Sequence, residues 1–177
     1  MGKNVREFEE KVAELYDKKH GVMVNSGSSA LNLAVDLLQL PEGSEVITPA
    51  LTFATTVAPL VKNGLIPAFV DVEEGTYNTD WSKVEEMITP KTKAFMIPNL
   101  MGNLPDWKKL REIADKHNLF VVEDSADTLG AEIDGKSSGR FADMSTTSFY
   151  GSHVINAGGN GGMLCLNDDK MLERAKL

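Results

Sequence analysis

The sequence predicts an α/β domain of three layers, α/β/α, in which helices cover both faces of a mostly parallel sheet. Three observations point there. Apolar spacing switches repeatedly between the strand and helix periods along the chain. The strand segments are almost continuously apolar, as in strands buried on both faces. The two kinds of segment alternate with short connections, the order that builds parallel crossovers. The 177 residues, 42% of them hydrophobic and 25% charged, suffice for one ordinary domain with a sizeable core.

Taken in order, Val5, Phe8, Val12 and Leu15 mark one face of a first helix. "GVMVN" (21–25) reads as a strand and "SALNLAVDLLQL" (29–40) as a helix with leucines at helical spacing. "EVITP" (45–49) is a strand, followed by a helix over 53–64 that stops at Asn63-Gly64. A strand over 66–72 and a helix over 80–88, capped by Asp80, come next. "KAFMIP" (93–98), "DWKKLREIADKHN" (106–118) and "LFVVED" (119–124) are strand, helix and strand. The last third reads differently, as short strands and turns through "SFYGSH" and "GGMLCLND", with a helix beginning at "DKMLERAKL".

Eighteen Lys and Arg against 26 Asp and Glu give a net charge of −8, which disfavours nucleic acid or an anionic membrane as partner. A small anion is still compatible, because a few local donors outweigh a global field. Cys165 is the only cysteine, so neither an internal disulfide nor a thiolate metal site can be built, and a reducing cytoplasm is the easiest setting. The amino-terminal segment is charged and lacks a signal-peptide core, and no run approaches the ~18 apolar residues of a membrane span.

In open α/β sheets ligands gather beyond the carboxyl ends of the strands, and three segments carry chemistry there. "VNSGSSAL" (24–31) runs from a strand through Gly27 and Ser28 into a helix, where free N–H groups and hydroxyls suit a phosphate. The same string also serves as an ordinary helix cap, and it lacks the spacing of a P-loop or dinucleotide fingerprint. "VVEDSADTLGA" (121–131) delivers Glu123 and Asp124 at a strand end. A carboxylate buried there needs a partner, either a cationic ring nitrogen or the N–H groups of the following turn. Finally, Ser148 lies in a strand that leads through Gly151-Ser152 to His153 and a glycine loop. His153 is open to a functional or a structural reading; His20 and His117, at helix ends, read as structural.

The order of these segments, SGSSAL, TFATT, EDSADTLGA, SFYGSH and GGNGG, resembles the DegT-type sugar aminotransferase family over nearly all of the chain. That resemblance implies the large domain of the type I (aspartate aminotransferase-like) fold and a pyridoxal 5'-phosphate or pyridoxamine 5'-phosphate cofactor. It also implies a nucleotide-linked sugar substrate and a homodimer in which the neighbour completes the phosphate pocket. Residue by residue, it assigns Gly27, Ser28 and Ser148 to the cofactor phosphate, Phe53 to stacking on the pyridine ring, and Asp124 to the ring nitrogen.

The family pattern S-F-x-x-x-K ends in the lysine that forms the internal Schiff base, and here the sixth residue is His153. An imidazole cannot form that bond but does move protons near neutral pH. The swap is similar to the nucleotide-sugar 3-dehydratase branch, which acts on 4-keto-6-deoxyhexoses and uses the histidine as base; "EDSADTLGA" and "MGN" (101–103) also resemble that branch. Iron–sulfur-dependent and glutamate-dependent subtypes both stay open. Relative to the family pattern, the leading segment and the small carboxyl-terminal domain are expected to be missing, leaving a partial large domain over 1–177. The alternatives are a sugar aminotransferase using another lysine, with Lys136 nearest in sequence, and a non-catalytic relic.

Overall fold

The computed structural model describes residues 2–153 and 155–177. Helix α1 (Lys3–Leu15) leads into β1 (His20–Val24), α2 (Gly27–Leu38), β2 (Glu45–Pro49), α3 (Ala54–Lys62) and β3 (Ile66–Val70). There follow α4 (Trp81–Val84), β4 (Thr92–Pro98), α5 (Trp107–His117) and β5 (Phe120–Ser125). A two-stranded hairpin, β6 (Glu132–Ile133) and β7 (Lys136–Ser137), precedes β8 (Met144–Ser148), β9 (Gly162–Leu166) and α6 (Asp169–Ala175). The main sheet has seven strands in the order β1-β9-β8-β5-β4-β2-β3. Every pairing within it is parallel except the two that β9 makes, antiparallel to β1 and to β8.

Strand parity explains the three layers, since successive side chains leave a strand on opposite faces. Val46, Met96, Val122, Leu164 and Leu166 pack with Leu31, Val35 and Leu38 of α2 and Leu60 of α3. Their neighbours Ile47, Phe95, Ile97 and Val121 pack on the other face, with Trp107, Leu110 and Ile113 of α5 and Val84 of α4. On that second face α1 contributes Val12, Ala13 and Tyr16 against Met163, Cys165 and Phe149. Cys165 is buried, and its thiol is pushed up by loss of solvent. Among the described residues no helix is long and apolar enough to cross a membrane.

The expected architecture is present, with local differences that have physical causes. Helix α2 starts at Gly27, two residues before the expected Ser29, because the Ser26 side chain caps it and accepts from Ser29 N–H at 3.1 Å. The helix expected over 80–88 is helical only to Val84 and tightens into a 3₁₀ turn at Glu85–Met87. Pro90 lies just beyond and bars Thr89 from the α region, so the helix has to end short of it. The edge strand ends at Val70 and not at 72. His20 opens β1 and not a helix; its Nε2 lies 2.7 Å from Asp169, and that of His117 2.9 Å from Glu85.

Because β9 runs against its neighbours, its first residue, Gly162, meets the carboxyl ends of β1 and β8. A Cβ there would sit 2.2 Å from the Ser26 carbonyl oxygen and 2.5 Å from the Gly27 nitrogen. Those are backbone atoms with nowhere to go. Gly162→Ala is therefore expected to destabilise the chain by about 1–3 kcal/mol in urea denaturation. Gly151→Ala, whose Cβ would find its nearest atoms at 3.8 Å, should stay within about 0.5 kcal/mol of the parent.

Candidate functional site

Strand parity divides the two adjacent carboxylates of β5. Glu123 leaves on the α1/α5 face and is fully buried. Its oxygens accept from Asn99 Nδ2 at 2.8 Å, Ser138 Oγ at 2.6 Å and Ser145 Oγ at 2.6 Å. Asn99 in turn donates to Ser125 Oγ and accepts from the buried Trp107 indole N–H at 2.8 Å. Nearby, Lys18 is also buried and donates to the Ala142 carbonyl; burial pulls its ammonium below the usual lysine range, against the charges of Glu123 and Asp143. Three hydroxyl or amide donors hold Glu123 in the fold.

Asp124 leaves on the opposite face, toward α3, and is 5% exposed. Its Oδ2 accepts from Thr56 Oγ1 at 2.7 Å, and its Oδ1 from the backbone N–H of Ala126 at 3.1 Å. Burial pushes its carboxyl up to about 6; the two donors pull it back, and the charges of Asp127 and Glu123 add to the rise.

Ser148 leaves β8 on the same face as Met144, which packs with α2. Gly27, at the start of α2, lies so close to Ser148 that a Cβ would come within 2.6 Å of the serine Cβ. The amino terminus of α2 and the end of β8 thus form one continuous wall. Of the amide groups that the helix start leaves free, Ser29 N–H is taken by Ser26 Oγ, while Ala30 N–H makes the first i→i−4 bond, to the Ser26 carbonyl. The N–H groups of Gly27 and Ser28 have no intrahelical partner, and Ser28 is exposed. Phe53 is the residue before α3, 71% exposed, three positions ahead of the Thr56 that holds Asp124.

Beyond Ser148 the chain turns sharply. Phe149 N–H donates to the Gly161 carbonyl at 2.8 Å and Gly151 N–H to Asn160 Oδ1 at 3.2 Å, so the glycine-rich loop braces the turn. His153 N–H donates to the Tyr150 carbonyl at 2.9 Å. Its ring stands edge-on to Tyr150 with centroids 5.8 Å apart, and Nδ1 lies 3.2 Å from the Ser148 carbonyl. A carbonyl only accepts, so this contact places the ring hydrogen on Nδ1 and leaves the lone pair on Nε2.

The residues singled out from the sequence fall at one edge of the sheet, with direct contacts recorded between Gly27 and Ser148 and between Ser148 and His153. Sequence reasoning missed Thr56 and Asn99. The i,i+4 spacing of Thr52 and Thr56 was the available signal for the first; nothing local marks the second. Lys136 lies elsewhere, in β7, lining a cleft with Glu14, Asp17 and Arg140. A further cleft, lined by Lys18, Arg111, Phe120 and Asp143, opens where the strands begin and draws on none of the site residues.

The sequence profile of the DegT/DnrJ/EryC1/StrS aminotransferase family matches residues 1–177. The chain is 38% identical over all of its length to GDP-perosamine synthase of Caulobacter vibrioides, and 42% identical over 171 residues, 92% of the chain, to dTDP-4-dehydro-2,6-dideoxy-D-glucose 3-dehydratase of Saccharopolyspora spinosa. It spans 47% of the first relative and 37% of the second, about half or less of each. The solved structure of GDP-4-keto-6-deoxy-D-mannose-3-dehydratase of E. coli with bound hydrated PLP superposes with a TM-score of 0.90 at 33% identity, covering 97% of this chain and 45% of that one. The sheet and helices described above are those of the large domain in such structures.

Asp124 also sets a pH test of the ligand-free chain. Its folded value lies above the ~3.9 of an unfolded aspartate, so the folded state holds the proton more tightly. The resulting penalty is absent below pH ~4, grows as pH rises through 6 and is complete above it. Asp124→Asn is therefore expected to raise stability at pH 7.5 by about 1–3 kcal/mol and to leave it nearly unchanged at pH 4, in paired denaturation curves.

Proposed function

Since the chain belongs to the DegT/DnrJ/EryC1/StrS aminotransferase family, we propose that it forms the cofactor-binding large domain of a nucleotide-sugar 3-dehydratase. The cofactor on this reading is pyridoxal or pyridoxamine phosphate, and the substrate a nucleotide-linked 4-keto-6-deoxyhexose in deoxysugar biosynthesis. The observation that carries the reading is His153 at the end of the S-F-x-x-x-K pattern. Around it, the residues present fit the cofactor. Gly27 and Ser28 offer free N–H groups at a helix start, with Ser148 packed against Gly27 where a larger residue would block the cradle. Asp124 is a buried carboxylate whose charge is under-compensated by its two donors, as suits a cationic ring nitrogen.

When bound, the protonated pyridine ring acts as an electron sink that acidifies the carbon attached to it. The chain's own residues supply the rest. Asp124 stays ionised and keeps the ring nitrogen protonated. Gly27, Ser28 and Ser148 anchor the phosphate and so fix the ring's position. Phe53, standing clear of the surface, covers one face of the ring and keeps water from it. His153 keeps its proton on Nδ1 against the Ser148 carbonyl and presents Nε2 as the atom that takes up and returns a proton, the role that loss of a C3 hydroxyl requires. Apolar groups left open at or near this edge, Phe53, Met101 and Tyr150, support a homodimer in which a second copy covers them.

The relationship to GDP-perosamine synthase supports a second reading, a sugar aminotransferase. It requires a lysine to replace His153, and Lys136 is held in a different cleft.

His153→Lys separates these readings. With pyridoxal phosphate the variant is expected to give a covalent adduct that borohydride traps and mass spectrometry detects at residue 153. The parent chain should bind pyridoxamine phosphate without any trappable adduct. Trapping at Lys136 in the parent would establish the aminotransferase reading, and failure of both proteins to bind either vitamer would mark a non-catalytic relic.

A further inference from the structure

Thr56 is fully buried and Thr52 half-buried, and they lie at i and i+4 around the start of α3. Thr52 Oγ1 is 3.0 Å from Thr56 Oγ1, which is 2.7 Å from Asp124 Oδ2. A hydroxyl has one hydrogen to give, and an ionised carboxylate only accepts. The hydrogen of Thr56 therefore goes to Asp124, and that of Thr52 to Thr56. Each bond polarises the next, so the relay strengthens the donor that faces the carboxylate. It is directional, and its direction fits the ionised state of Asp124.

The other groups around Asp124 do not supply this. Its own turn contributes the Ala126 N–H, which occupies the other oxygen. From the loop after β4, Asn99 N–H reaches only the Asp124 backbone carbonyl, and from β8, Thr146, opposite in register, donates to the Glu123 carbonyl. The charged neighbours, Glu123 and Asp127, both disfavour the ionised form. Thr56 is the one side chain that donates to the carboxylate among the described residues.

We propose that Thr56, oriented by Thr52, is a positioning residue that holds Asp124 ionised and turned to receive the cofactor's ring nitrogen. The inference rests on the cofactor reading above, and its test separates the two. Thr56→Val keeps the shape and removes the hydroxyl, while Thr56→Ser keeps the hydroxyl. In carboxyl-carbon NMR of the ligand-free chain, the Asp124 titration is expected to move up by about one pH unit in T56V and to return in T56S. Pyridoxamine phosphate affinity should fall about twofold at pH 7 in T56V, the loss growing toward about tenfold as pH drops below 6, and should recover in T56S. Thr52→Val should move both readouts the same way by less, and it carries the test if T56V does not fold.

An unmoved Asp124 titration in T56V, or in T52V if that variant has to stand in, overturns the role of Thr56. So does parent-like cofactor affinity in a folded T56V. A parent chain that binds no vitamer, with the titration shifted as expected, would instead overturn the cofactor reading and leave the control of Asp124 by Thr56 standing.

Discussion

Two carboxylates leave the end of β5 in opposite directions, and the cost of taking both out of water shapes the molecule around them. Removing an ion from water costs several kcal/mol unless donors replace its hydration. Glu123 has that replacement in full, from Asn99, Ser138 and Ser145. Those donors come from the loop after β4, the turn before β8 and β8 itself, so satisfying one side chain ties the middle of the sheet together. Through Asn99 the same network fixes Trp107 and the approach of α5. Among the described residues Asp124 has only Thr56 and Ala126, and desolvation stays ahead of them. On the proposed reading the contrast separates structure from site: a saturated carboxylate holds the fold, and an under-compensated one is available to a cation.

Sheet geometry decides where that availability points. Parity sends Asp124, Met144 and Ser148 to the face covered by α2 and α3, and Glu123 with Val121 to the other. Parallel pairing of β5 with β8, and the two antiparallel pairings through β9, then bring the carboxyl ends of β1, β8 and β5 to one edge, where the α2 start and the His153 turn also lie. The reversed strand β9 completes this edge by starting there, with Gly162 pressed against the Ser26 carbonyl. Gly162 thus serves close approach, whereas Gly158, with a φ of +71° and open space where a Cβ would stand, serves turning.

Much of this is written in local patterns. Alternation of apolar segments gave the layers, and Gly27, Ser28, Asp124 and Ser148 each sit at a strand end that the sequence marks. Less legible were features that depend on partners far along the chain. Thr56 and Asp124 are 68 residues apart, and a threonine inside a helix start carries no outward sign of its target. Asn99 likewise acquires its role only when β4 and β5 pair. Strand direction was not legible either, because the apolar run 162–166 looks the same whichever way β9 lies. Glu123 and Asp124 read as a pair, although the parity argument that separates them was already available from Val121 and Val122.

On the proposed reading, the turn from Ser148 to His153 lets one position change chemistry while the fold stays as it was. Its shape is set by backbone bonds, Phe149 to Gly161 and His153 to Tyr150, and by Asn160 on Gly151. None of these involves the side chain of residue 153. On the proposed reading, a lysine there would tether the cofactor covalently, and an imidazole would work beside it as a base. The Ser148 carbonyl adds what an imidazole needs and a lysine does not, a fixed acceptor that selects one tautomer. Under the proposal Ser148 would act twice, through its side chain toward the cofactor phosphate and through its carbonyl toward the base. On that reading, the residue that helps to anchor the cofactor also sets which nitrogen of His153 faces it.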